Sequence, residues 1–175
     1  MNKEDIVSNL EEKHNTLVDW LQNQKADKWQ EGPEGKWITG QQALHLLQSI
    51  KPLNDALSMP KILLKFKFGE ANREIRDYDA IVKRYQERLL GVQGKTFKGS
   101  QNMKAPTLSE KEYILHRLQV ENKKLQYKTL KRWNDKQLDT YILPHPLMGK
   151  MPVREIIMWT AHHVEHHTQI LQEKY

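Results

Sequence analysis

The chain contains no cysteine. That absence excludes disulfides, thiolate catalysis and sulfur-ligated zinc, and leaves nitrogen and oxygen atoms as the only strong metal donors. Long apolar runs are missing too. No stretch approaches the roughly 20 residues of a membrane span, and Met1-Asn2-Lys3-Glu4-Asp5 lacks the basic start and apolar stretch of a secretory signal. A cytoplasmic protein with no membrane partner is therefore expected. The alternation of apolar and polar residues that marks a half-buried strand is also absent, so no sheet is expected.

What remains is a helical chain of 175 residues with a net charge of +6. That length fits one domain, residues 1–175, with a single substantial core. The charge is unevenly placed: between Lys61 and Lys98 there are ten Lys/Arg against five Asp/Glu. No helix-turn-helix, RRM or zinc-finger pattern accompanies it, so nucleic acid is not the expected partner. An acidic small molecule fits better, and Lys65, Lys67 and Arg73 are candidates to receive its carboxylates.

Apolar spacing predicts a helix from about Lys3 to Gln24, with Ile6, Leu10, Leu17 and Leu21 inward. Glu31-Gly32-Pro33-Glu34-Gly35 reads as a loop. Thr39 is a plausible N-cap for a second helix ending near Pro60, with Pro52 inside it. Asn72 or Asp77 can start a third, shorter helix reaching Leu90. A long loop over Gly91 to Thr107 follows. Ser109, with Glu112 at the capping-box position, opens a fourth helix running to about Trp133. The connector Leu143-Pro144-His145-Pro146-Leu147-Met148-Gly149-Lys150 leads into the last. The expected fold is all-α: a four-helix bundle with one additional shorter helix.

Half of the eight histidines lie in His162-His163-Val164-Glu165-His166-His167. Histidines four apart on a helix stand one above the other and can bind one metal ion. Turning each residue by about 100° places Ile156, His163, His167 and Ile170 on one stripe, flanked by Val153, Trp159 and Leu171. Arg154, Glu165, Gln169 and Gln172 fall opposite. This phase points His163 and His167 inward, His162 to water and His166 to the border. The inverted zincin order H-x-x-E-H is present in His162, Glu165 and His166, but it needs His162 and Glu165 inside. The alternative is a pair of core histidines satisfied by hydrogen bonds.

A metal site needs a third ligand. His14, His45, His116 and His145 are the candidates. His45 sits at the edge of the stripe of Leu46, Ile50, Leu53 and Leu57. His14 and His116 are lone helical histidines, and His145 shapes its turn or lines a pocket mouth.

The segment Trp37-Ile38-Thr39-Gly40-Gln41-Gln42-Ala43-Leu44-His45-Leu46 resembles the DinB/YfiT-like family, in which a Trp precedes a helix and a His follows eight residues later. Leu138 to Leu171 resembles that family's closing motif, a PHP-L-x-G-K connector followed by a helix with two histidines four apart. Lys65-Phe66-Lys67-Phe68-Gly69 to Tyr85-Gln86 resembles one of its subgroups. The resemblance implies a four-helix bundle with a divalent metal, zinc or nickel, on His45, His163 and His167, and homodimers are common in the family. That family includes enzymes that add a low-molecular-weight thiol to an electrophile and a thiol-dependent isomerase; the expected activity is a metal-dependent S-transfer or hydrolysis on a small molecule. Without cysteine in the chain, such a thiol must come from a cosubstrate. Two other readings stay open: a metal-binding bundle without catalysis, and a basic module binding nucleic acid or protein.

Overall fold

A computed structural model of the chain describes residues 1–92 and 102–175. Among them are seven α-helices: α1 (Lys3–Asn23), α2 (Thr39–Ser58), α3 (Lys61–Phe68), α4 (Tyr78–Leu90), α5 (Lys111–Tyr127), α6 (Asp135–Thr140) and α7 (Val153–Lys174). Two short strands, β1 (Ile142–His145) and β2 (Gly149–Pro152), separate α6 from α7. The expectation of an all-α chain is met in this coarse sense.

Local chemistry explains most helix starts. Asn2 Oδ1 accepts from the Asp5 N–H at 2.7 Å and Asp5 accepts back from the Asn2 N–H at 3.2 Å, a reciprocal cap on α1. Asp77, not Asn72, caps α4, accepting from the Ala80 N–H at 2.8 Å. Thr39 is not a cap. It is the first helical residue of α2, its hydroxyl donates to the Glu31 carbonyl, and Gln41 Oε1 accepts the Ile38 N–H at 3.0 Å. Ser109 gives way likewise: Glu110 accepts the Thr107 N–H at 2.9 Å, so the cap sits two residues earlier, on a single 3₁₀ turn (Leu108–Glu110) ahead of α5. At its far end α5 widens into a π-turn over Lys128–Arg132 and stops at Trp133.

α1 packs on α5 and α7, and α2 packs on the same two helices; α4 covers a further flank of α7. Two apolar clusters fill the space they share. One gathers Leu17, Leu21, Ala43, Leu46, Leu115, Leu118, Val164 and Leu171. The other gathers Leu10, Ile50, Leu53, Ile81, Tyr85, Leu125, Ile156 and Ile157. α7 is the central element. Every residue from Val153 to Val164 is buried, so its first three turns have no wet face.

Two expectations need correction. The proline-rich connector is an antiparallel hairpin, with Ile142 opposite Pro152 and His145 opposite Gly149. Gly149 takes a φ of 77°, a left-handed turn position that suits glycine. Helices α3 and α6 were not anticipated. The long loop over Gly91 to Thr107 lies mostly outside the described residues. No helix among those described is long and apolar enough to cross a membrane.

Candidate metal centre

His45 projects from α2 and His163 and His167 from α7, across the contact between those helices. The three rings turn their Nε2 edges toward one another. His163 Nε2 lies 3.2 Å from His45 Nε2 and 3.1 Å from His167 Nε2. Three donor nitrogens, one from each ring, lie within 4.8 Å of one another and can hold a metal ion. Three ligands each about 2.0–2.1 Å from one tetrahedral ion would stand roughly 3.3 Å apart. The two spacings from His163 are within a few tenths of an ångström of that.

The protons around the triad can be placed by following hydrogen bonds inward from a backbone carbonyl. The Trp37 carbonyl only accepts, so the Tyr175 hydroxyl donates to it. The Tyr175 oxygen therefore accepts from Gln42 Nε2, at 3.0 Å. Gln42 then presents its Oε1 to His167 Nδ1, 2.6 Å away, so Nδ1 carries the proton. Neutral His167 is left with a bare lone pair on Nε2, aimed at His163. A proton on His163 Nε2 can point at His167 or at His45, but not at both. Without that proton, His163 and His167 face each other lone pair to lone pair. In every neutral arrangement one of the two close contacts is unsatisfied, whereas one cation accepts all three lone pairs.

Burial favours the ligating form. It lowers the His45 pKa to about 4. Burial, reinforced by the neighbouring histidines, pushes His163 and His167 well below the ordinary imidazole value. All three are neutral near pH 7, as metal binding requires.

Aromatic rings hold two of the three imidazoles. Trp159 stacks on His163, with centroids 4.4 Å apart and planes 20° apart. Trp37 leans on His45 at 4.9 Å. Tyr85 of α4 stands edge-on to Trp159 at 5.6 Å and to His163 at 6.3 Å. His163 Nδ1 is buried without a partner among the described residues.

The other histidines do not join the triad. His14 is buried and its Nδ1 donates to the Leu10 carbonyl at 2.8 Å. His116 is exposed. His145 shapes its turn, its Nδ1 accepting from the N–H groups of Leu147 and Met148 at 3.1 and 2.9 Å. Its ring also stands perpendicular to Trp159 at 4.2 Å. His162 does not face water. It is only 7% exposed, covered by Tyr78 and Tyr85 of α4, with Nδ1 3.5 Å from Glu165. His166 is half-buried, as its border phase implies. Glu165 turns away from the triad to pair with Lys13 of α1 at 2.9 Å. Arg154, expected on a wet face, is buried against Asp135 and Asp139 of α6.

The proposed anion-receiving set also changes. Arg73 donates two hydrogen bonds, at 2.5 and 2.7 Å, to the fully buried Glu155, and Lys65 pairs with Glu70 at 3.0 Å. Burial opposes ionisation of Glu155, but Arg73 and the Arg76 backbone together hold its carboxyl below the ordinary range.

Sequence reasoning missed Gln42, Tyr175 and Trp159 as partners of the triad. Two of them carried a signal: Gln42 lies three residues before His45 and Trp159 four before His163, so each shares a helix face with its ligand. Comparison with known proteins adds nothing to this geometry: no family model matches the chain, and no curated protein or solved structure matches it.

Proposed function

We propose that His45, His163 and His167 hold one divalent metal ion, and that the chain is a metal-dependent enzyme acting on a small molecule. The observation that carries this reading is the set of three inward-facing Nε2 atoms, which no placement of protons on neutral rings can satisfy. In this reading α1, α2, α5 and α7 form a four-helix bundle of the DinB/YfiT-like kind. Their mutual packing, and a ligand order of one histidine on the second bundle helix and two on the last, support it.

A bound divalent ion with three protein ligands supplies Lewis acidity, lowering the pKa of an incoming thiol or water. The chain's own residues would do the rest. Gln42 keeps the His167 proton on Nδ1 and so its lone pair inward. Trp159 and Trp37 hold the planes of His163 and His45. With no cysteine available, a sulfur nucleophile must be a cosubstrate. We therefore favour transfer of a low-molecular-weight thiol over reactions that need a protein thiolate.

The test is metal content by plasma mass spectrometry on untagged protein. About one equivalent of zinc, nickel or another divalent metal is expected in the wild type, as for a single three-histidine site. It should be lost in His45→Ala and His163→Ala and kept in His162→Ala. No metal in the wild type after reconstitution would reject the site, and equal content in the His162 and His163 variants would reject the assignment of ligands.

A further inference from the structure

We infer that helix α3 is a docking ridge for an anionic membrane surface. Lys61-Ile62-Leu63-Leu64-Lys65-Phe66-Lys67-Phe68 is apolar on two opposite faces, one inward and one outward. Leu64 is fully buried and anchors the helix, with Phe68 partly buried beside it. The opposite face presents Ile62 at 80% exposure, Phe66 at 90% and Leu63 at 43%. Ile62 and Phe66 are four apart and so stand together. Three of the eight exposed large apolar side chains among the described residues thus fall within five residues.

The charge on the ridge selects its occupant. α3 carries three lysines and no carboxylate; at rest Lys65 pairs with Glu70 just beyond its end at 3.0 Å and Lys61 lies over the Trp133 ring at 4.6 Å, partners that lipid phosphates would have to replace. By helical phase Lys61 and Lys65 border the apolar strip on one side and Lys67 on the other. An interfacial helix has this layout, with apolar tips entering the acyl boundary while lysine stems run alongside and keep their ammonium groups at the phosphates. Beside the helix lies a depression of about 390 Å³ lined by Met59, Pro60, Lys61, Tyr127, Lys128 and Arg132. It extends the same basic, partly apolar surface onto the end of α5. A second copy of the chain would bring like charges together across a two-fold axis, which disfavours self-association through this ridge. Ile62 and Phe66 are 80% and 90% exposed, tips open enough to enter a deformable surface. None of this needs a membrane span.

The test is co-sedimentation of the full chain with vesicles of phosphatidylcholine alone and of phosphatidylcholine containing about one-third phosphatidylglycerol. Binding to the anionic vesicles only is expected, weakening as salt is raised. Ile62→Ser with Phe66→Ser should reduce it by more than about tenfold, since two apolar side chains no longer enter the boundary. Lys65→Glu with Lys67→Glu should reduce it at least as much, at about fivefold for each lysine lost. Both pairs are exposed, and an unchanged circular dichroism spectrum checks that the fold survives. Absence of binding to the anionic vesicles, or equal binding to both vesicle types, would overturn the proposal. So would a wild-type dimer in gel filtration that the Ile62/Phe66 variant converts to monomer, because a second copy would then cover the ridge.

Discussion

At the residue scale, the orientation of His167 is set by groups that lie outside the three-histidine cluster. Trp37, Tyr175 and Gln42 pass one hydrogen-bond direction inward to Nδ1. Such outer partners fix the tautomer of a ligating histidine, and their loss typically costs about 10–100-fold in metal affinity. Gln42→Ala should weaken metal binding by about that factor while leaving the helical content unchanged. Gln42→Glu should retain affinity, because its carboxylate still accepts from Nδ1–H. Competition against a chelating dye reads both. Equal affinity in wild type and Gln42→Ala would mean that the tautomer is fixed by something else. His163 and His167 were legible in the sequence because four-residue spacing and helical phase agree. His162 was misplaced because phase sees only its own helix, and the covering tyrosines Tyr78 and Tyr85 come from α4.

At the scale of elements, the start of α7 is held by a buried charge. Glu155 accepts from both guanidinium nitrogens of Arg73, from the Arg76 N–H at 2.8 Å and from the Arg76 guanidinium at 3.2 Å. These contacts fasten the segment between α3 and α4 to the helix that bears two of the three clustered histidines. Removing one partner from a buried ion pair leaves the rest uncompensated, typically at about 3–5 kcal/mol. The arginines here are each about 30% exposed, so water recovers part of that and Glu155→Ala should cost about 2–3 kcal/mol. Urea denaturation measures it; a change below about 0.5 kcal/mol, the size of an ordinary surface substitution, would show that the clamp is not structural. The long helices were legible because each has a repeating apolar face. α3 was not, because its apolar residues point both inward and outward and leave no single stripe. The hairpin was hidden by Pro144 and Pro146, which read as a loop. Yet Pro144 is exposed, and Pro152 ends its strand, positions where a sheet tolerates proline.

At the scale of the whole molecule, an unusual share of the interior is neutral imidazole. Burial lowers His14, His45 and His145 to about 4, and His163 and His167 lie well below their ordinary value. In the unfolded chain the same groups titrate near 6.5. Because the folded-state values are depressed, the unfolded state binds more protons between the two. Stability is therefore full above about pH 6.5 and is lost as pH falls toward about 4. Each such histidine adds a slope of up to about 1.4 kcal/mol per pH unit across that window. The metal-free chain should thus show a thermal midpoint that drops steeply between about pH 6.5 and 5, where ordinary carboxylates have barely begun to protonate. A metal ion held by the triad would require it folded with its imidazoles neutral, so added metal should raise the midpoint at pH 7 and lose that effect over the same acid range. Differential scanning calorimetry with and without chelator, on wild type and His45→Ala, separates the two contributions. The acid loss should persist in the variant, since the other buried histidines remain, but its midpoint should no longer respond to chelator. A wild-type midpoint flat from pH 7 to 5 would mean that these histidines are not held neutral in the fold, and the lone-pair account of the triad would fall with it.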